Sequence, residues 1–186
     1  MKNYTIGIDY GTLSARVSLV DCENGNEVLS KELVYPHGVM EKALPDGTPL
    51  GDDWALQHPE DYLLVLTDTL PSLIKESGIP SEQIKGVGVD FTACTIMPVF
   101  KDATPLCMLP QYKSQPNAYA KLWKHHSAQK QADIINEVAK KREEKSSKTT
   151  AQKSPANLHI PRYSKPCKKH PTCMKKPTSL LMRATG

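Results

Sequence analysis

Residue types that handle phosphate crowd into one stretch of the chain, IGIDYGTLSARVSLVD, running from Ile6 to Asp21. Asp9 stands near the end of one β-prone run, Gly11 and Thr12 follow it, and Ser14 and Arg16 open the next. Glycine lets the backbone approach a ligand closely, and successive turn amides can form an anion-binding concavity. Thr12 and Ser14 add hydroxyl donors, and Arg16 adds a fixed positive charge suited to phosphate oxygens. Asp9 would repel bare phosphate, so its place in such a site is to hold Mg²⁺ or the waters around it. The chemistry is phosphate plus a hard cation on a β-hairpin. The spacing departs from the G-x-x-x-x-G-K-[ST] loop, which opens a helix instead. A plain hairpin turn can carry the same residues, and only context separates the two.

The elements that must position this turn are legible on either side of it. YTIGIDY (4–10) and ARVSLVD (15–21) read as short strands, and a third, Val28–Tyr35, follows the turn signal at Glu23–Asn26. Three strands joined by tight turns predict an antiparallel meander. His58-Pro59-Glu60-Asp61 reads as a helix start, with Leu63, Leu66, Leu70, Leu73 and Ile74 on one face, a bend at Pro71 and a stop at Gly78. Ile84–Phe91 reads as a buried strand and Thr95–Phe100 as another. From Asn117 to about Arg142 the pattern is helical, with Ala118, Leu122, Ile135, Val138 and Ala139 as core positions. The order β-β-β-α-β-(β)-α is half of an α/β architecture.

Charge divides the chain sharply. Residues 1–144 hold 14 lysines and arginines against all 20 acids, a balance of −6, whereas residues 145–186 hold 10 cations and no acid. The overall +4 therefore describes no part of the molecule. Five cysteines in no framework spacing, with no signal-peptide pattern and no apolar run of about 18–20 residues, predict a cytoplasmic chain with reduced thiols and no membrane association.

The phosphate-type turn has company. YPHGV at 35–39, DWALQHPEDYL at 53–63, GVGVDFTACTIMPV at 86–99 and KLWKHH at 121–126 follow it in order. Together these stretches resemble the N-terminal part of ribulokinases, which are FGGY-type carbohydrate kinases on the actin-like, ribonuclease-H-like fold; DFTACT is the most specific of them. The resemblance runs to about Arg142. It implies a partial actin-like domain over residues 1–143 and ATP-dependent phosphorylation of L-ribulose at its 5-hydroxyl, in arabinose catabolism. It implies that Asp9, Gly11, Thr12, Ser14 and Arg16 face the ATP phosphates and Mg²⁺. It places Phe91, Thr92, Ala93, Cys94 and Thr95 along the sugar pocket and Trp123, Lys124 and His125 near the sugar. Read without it, Asp90–Cys94 is a strand end packed in a core, and His125-His126 is a solvated helix pair. Ribulokinases are much longer than this chain, and their catalytic aspartate lies downstream of the matched stretch. The expectation is a truncated, inactive kinase with no catalytic residue of its own.

Three readings compete for residues 144–186. A basic tail would attract nucleic acid through counterion release, which would make the protein a non-catalytic actin-like fragment that binds nucleic acid. A metal knuckle would use Cys167, His170 and Cys173, which lack a fourth ligand. The third reading is translation in a shifted frame. If one T was lost before the Ser146 codon, Ser146–Asn157 back-translates to an allowed Phe-Leu-x-x-Tyr-Gly-x-Lys-Ile-Ser-Ser-Glu, and MKKPT at 174–178 to Tyr-Glu-Glu-Ala-Asp. Both resemble ribulokinases. The shifted frame is the preferred reading, with a disordered tail as its structural expectation.

Overall fold

The computed structural model describes residues 2–142 and 179–181. The chain divides into two compact units: residues 1–39 with 58–92, and residues 40–57 with 93 onward.

The first unit is a four-stranded sheet with one helical layer. Strands β1 (Tyr4–Tyr10), β2 (Ser14–Asp21) and β3 (Glu27–Val34) form the predicted meander. Strand β5 (Ile84–Phe91) adds to the other side of β1 in parallel, giving the order β3-β2-β1-β5. Ile6 and Ile8 of β1 and Val17 and Leu19 of β2 point to one face and are almost wholly buried. Alternation at period 2 sends Gly7, Asp9 and Arg16 to the other face.

The helical layer is a single rod with an interruption. Helix α1 (Pro59–Leu64) starts where the His58 side chain accepts the Glu60 amide, with Glu60 and Asp61 in its first turn. A π turn follows at Val65–Thr69, and helix α2 (Leu70–Ser77) ends at Gly78 in the left-handed conformation, φ +62°. The expected bend at Pro71 takes the form of that π turn. Proline has no N–H to return to Thr67, and its ring crowds the Thr67 carbonyl, so the turn before it widens to an i→i+5 bond from the Leu70 amide to Val65. Val65 and Leu73 are buried against β1–β3, joined by half-buried Leu70 and Ile74. The Lys31 ammonium ties β3 to α2 through Ser72 and Glu76.

Three expectations need correction. Strand β5 was expected to be buried, yet residues 85–90 are all exposed. In the parallel register Val87 and Val89 pair with Ile6 and Ile8 and so share their face. The helical layer packs on β2 and β3 and stops short of β5, leaving the two valines 55% and 54% exposed. Leu63 and Leu66, expected in the core stripe, are likewise exposed.

The second correction concerns residues 117–128, which are not helical. A turn at Pro116–Ala118 leads into strand β7 (Ala120–Lys121), and helix α3 begins only at Gln129 and runs to Lys141. Residues 117–122 are all buried, a run that no single helical face can supply. Their amides are used elsewhere: β7 pairs antiparallel with β4 (Leu56–Gln57), and Lys121 bridges to Ile96. Ala118 and Leu122 are core as expected; on α3 Ala132 is buried, Ile135 and Ala139 are half-buried and Val138 is exposed. The third correction is minor: the strand expected at 95–100 is shorter, β6 (Met97–Val99). Around these elements Met40, Leu44, Leu56, Leu106, Cys107, Tyr112 and Tyr119 form the core of the second unit.

The expectation of a disordered tail falls mainly on residues outside those described, as does the Cys167–Cys173 segment. Within the tail, Ser179–Leu181 form strand β8, antiparallel to β6.

Two stability measurements test this packing. Leu73→Ala removes a fully buried side chain and is expected to cost about 2–5 kcal/mol in urea unfolding, whereas Val89→Ala on the open face should stay within about 0.5 kcal/mol. Burial pushes the Cys107 thiol up to about 12, from 9.0, and burial with the nearby Cys107 and Asp46 charges pushes the Tyr119 phenol up to about 12, from 10.0. Both groups keep their protons longer in the folded chain. Stability is therefore complete below pH 9 and is lost as pH rises towards 12, because the unfolded chain ionises first. Urea midpoints between pH 8 and 11 should fall along that limb, and Cys107→Ala should flatten its first part.

Candidate functional site

The hairpin between β1 and β2 is closed by one short bond, from the Gly11 amide to the Ser14 carbonyl at 2.9 Å. A Cβ on Gly11 would stand 2.8 Å from that carbonyl oxygen, so the turn admits glycine alone. Leu13 sits exposed at the tip, and its carbonyl accepts the Tyr35 amide, anchoring the turn from the side of β3. Gly11 and Thr12 are half-buried beside it.

Pairing of the strands lines up a row of charge across the outer face. The registers put Glu32 opposite Arg16, Arg16 opposite Asp9, and Asp9 opposite Asp90. Three carboxylates and one guanidinium give this row a net charge of −2 at neutral pH. Bare phosphate is repelled by such a row, and a hard divalent cation is attracted to it. Next to the row lies a groove of ≈ 360 Å³, lined by Gly7, Gly88, Asp9, Arg16, Ser18 and Asp90. Its floor is flat because no atom lies within 4 Å of where a Cβ on Gly7 or Gly88 would sit. Asp90 was not among the sequence-derived site residues. The parallel pairing of β5 with β1 is what puts Asp90, whose carboxylate accepts the Phe91 amide at 2.7 Å, opposite Asp9, and no local motif announces that pairing. Ser14 differs from the expectation in its present partner: its hydroxyl donates to the Glu32 carboxylate at 2.6 Å.

The residues expected at the sugar divide between the two units. Phe91 ends β5, and Thr92 donates to the Tyr10 carbonyl through both its amide, at 3.1 Å, and its hydroxyl, at 3.4 Å. In the second unit Ala93 and Cys94 are exposed, and Cys94 is held in the left-handed region at φ +58°. Such a conformation is costly for a residue with a Cβ and needs support from its surroundings. The Thr95 hydroxyl oxygen is buried and meets no hydrogen-bond partner.

Trp123 is 45% exposed, and Lys124 pairs with Glu41 at 2.7 Å. Lys124 lines an open pocket of ≈ 550 Å³ with Glu41, Lys42, Asp52, Asp53 and Trp54, residues that sequence reasoning did not assign to a site. His125, by contrast, has no exposed surface. It is neither a solvated helix residue nor placed to reach solvent.

Among the described residues the nearest approach to a metal cluster is His37, His58 and Glu60, whose ligand-type atoms lie within 4.8 Å of one another. The two imidazoles stack at 4.1 Å with planes 17° apart. Their in-plane lone pairs therefore run side by side and do not converge on one ion. His37 Nδ1 is engaged by the buried Asp61 carboxylate at 2.6 Å, and His58 Nδ1 caps α1. The cluster anchors the loop before α1 and carries no metal chemistry.

No family model matches the chain. It is 52% identical over 142 residues to a ribulokinase of Halalkalibacterium halodurans, a match covering 76% of this chain and 25% of that protein. It is 48% identical over 144 residues to a ribulokinase of Mycolicibacterium smegmatis, covering 76% and 25%, and 41% identical over 137 residues to one of Staphylococcus aureus, covering 74% and 25%. The chain thus spans about a quarter of the length of these relatives. Among solved structures it is similar to a xylulose kinase from Rhodospirillum rubrum, with a TM-score of 0.66 at 12% identity over 96% of this chain and 32% of that one. It is similar also to Plasmodium falciparum glycerol kinase with ADP, with a TM-score of 0.65 at 17% identity over 94% and 30%. At such identities the likeness is one of fold, the actin-like fold of sugar kinases. Over three-quarters of its length the chain is a homologue of the N-terminal quarter of ribulokinases, folded as part of their first actin-like domain.

Proposed function

We propose that this chain is the N-terminal part of an ATP-dependent carbohydrate kinase of the cytoplasm that phosphorylates L-ribulose at its 5-hydroxyl. The observation that carries the proposal is the 52% identity to a ribulokinase over 142 residues. The charge row on β3-β2-β1-β5 fits the phosphate end of such a reaction. Arg16 would hold a phosphate oxygen, and the turn amides around Gly11 would hold others. Asp9 and Asp90 offer the hard oxygen donors that Mg²⁺ prefers, above a groove that the glycines leave open. When bound, Mg²⁺ would neutralise phosphate charge that the row alone repels. Trp123 and Lys124 offer an aromatic face and a cationic donor to a hydroxylated sugar. Phosphoryl transfer also needs a base for the sugar hydroxyl, and none of the residues described is assigned that role.

We further infer that the chain from Ser146 onward is read out of frame. The matches to ribulokinases run for 137 to 151 residues, about the length of the acidic body. Resequencing the coding DNA from about codon 138 should reveal a kinase-like frame once one nucleotide is restored before Ser146. A downstream region with no such frame would sink this inference.

The activity is tested on the same DNA. The frame-restored protein should phosphorylate L-ribulose with MgATP, and the chain of 186 residues should not. In the restored protein Arg16→Ala removes a charge-assisted bond to phosphate, expected to cost about 1.5–3 kcal/mol, or roughly 10–100-fold in kcat/KM for ATP. An unchanged kcat/KM would remove Arg16 from the phosphate site.

A further inference from the structure

We propose that His125 is a positioning residue: its neutral imidazole fixes the direction in which Trp123 and Lys124 leave the chain. The ring is wholly buried within the second unit, between residues 53–55 and the 122–127 turn. Nδ1 accepts the Ala55 amide at 3.2 Å, and Nε2 lies 2.6 Å from the Ser127 hydroxyl oxygen. An amide can only donate, so Nδ1 carries no proton, and the ring proton sits on Nε2 and is donated to Ser127. The Trp54 indole closes over the ring edge at 4.8 Å, planes 84° apart.

The backbone around His125 repeats the same connection. Leu122 N donates to Ala55 O at 3.1 Å, and the amides of His126 and Ser127 both donate to Asp53 O, at 2.9 and 3.1 Å. Asp53 sits at φ +63°, a left-handed conformation costly outside glycine. His125 N in turn donates to Leu122 O at 3.0 Å, which closes the turn. The turn is thus pinned at Leu122 and again at His125–Ser127. Between the pins stand Trp123, nearly half exposed, and Lys124, paired with Glu41. A side chain without surface cannot touch a ligand, but one that holds both pins can aim the two residues that do. An apolar residue here would leave the Ala55 amide unsatisfied in the interior, which the buried imidazole avoids.

The proposal rests on the sugar-kinase reading only for what Trp123 and Lys124 bind, a polyhydroxylated small molecule. Its test is separate. The chain has two tryptophans, so 5-fluorotryptophan labelling gives two fluorine NMR resonances, assigned with Trp123→Phe. His125→Asn keeps an acceptor near the Nδ1 position and should leave the Trp123 resonance at its wild-type shift and width. His125→Phe keeps a ring but removes both bonds, and should shift or broaden that resonance while the far-UV circular dichroism stays native. If His125→Phe does not fold, Ser127→Ala carries the test, with a smaller displacement of the same resonance. A folded His125→Phe or Ser127→Ala protein whose Trp123 resonance is unmoved overturns the proposal. In the frame-restored protein the same Ser127→Ala change should raise KM for L-ribulose roughly fivefold with kcat retained. An equal loss in kcat alone would argue against positioning. No kinase activity in the unsubstituted protein would remove the sugar-kinase reading and leave the positioning of Trp123 to be decided by the fluorine resonances.

Discussion

The parity of strand β1 governs the first unit. Ile6 and Ile8 on one side meet the helical layer, and Gly7 and Asp9 on the other stand over an open groove. A slip of one residue in its pairing would exchange these sets, turning Asp9 into the core and the isoleucines into solvent. Both neighbours enforce the register. β2 is held to β1 by the tight turn at Gly11, where even one added carbon would strike the Ser14 carbonyl. β5 is held in parallel from Gly86 to Phe91, beyond a register shift at its start, so Asp9 faces Arg16 on one side and Asp90 on the other. The position of every group in the charge row follows from that one strand.

The same register sets the electrostatics. Strand pairing leaves little freedom in the spacing of neighbouring side chains, so Asp9 cannot move away from Asp90 without breaking the ladder. Such a pair of carboxylates is poor for stability and useful for holding a cation. Polar neighbours ease the remaining charge: Ser14 donates to Glu32, and Ser18 from β2 and Ser30 from β3 itself both donate to Glu27 and hold its carboxyl below the usual range. The outer face is thus organised by hydroxyls and carboxylates rather than by buried area, in contrast with the apolar face behind it.

How much of this was legible depended on whether neighbours in sequence are neighbours in space. The meander, the helix start at His58 and the stop at Gly78 rest on contacts within a few residues, and they were readable. The burial of β5 was not, because IKGVGVDF has the composition of a covered strand while its cover depends on where the helical layer ends. Residues 117–128 misled in another way. Ala118, Leu122 and Ala139 fit a helical stripe, yet pairing of Lys121 with Leu56 and Ile96 overrode that local preference. Asp90 and Trp54 were missed as site residues for one reason: their significance comes from strands and loops distant in sequence. His125 was recognised as belonging with Trp123 and Lys124, but only its burial separates holding the turn from touching a ligand.

The break at residue 144 draws on two independent kinds of observation. One is charge: all 20 acids lie at or before Glu144 and none follows. The other is homology, since matches of 137 to 151 residues are as long as that acidic body. Selection for a basic extension would explain the first and not the second, because ribulokinases continue well past their first quarter in register with the matched stretch. A lost nucleotide explains both. Codons for apolar and acidic residues, read one position out, yield lysine, proline and serine, and matches to relatives then extend little beyond the length of the body. The body before the break keeps what a functional site requires, a glycine where only glycine fits and charged partners in register across four strands. Nothing comparable in chemistry is visible in the letters after it.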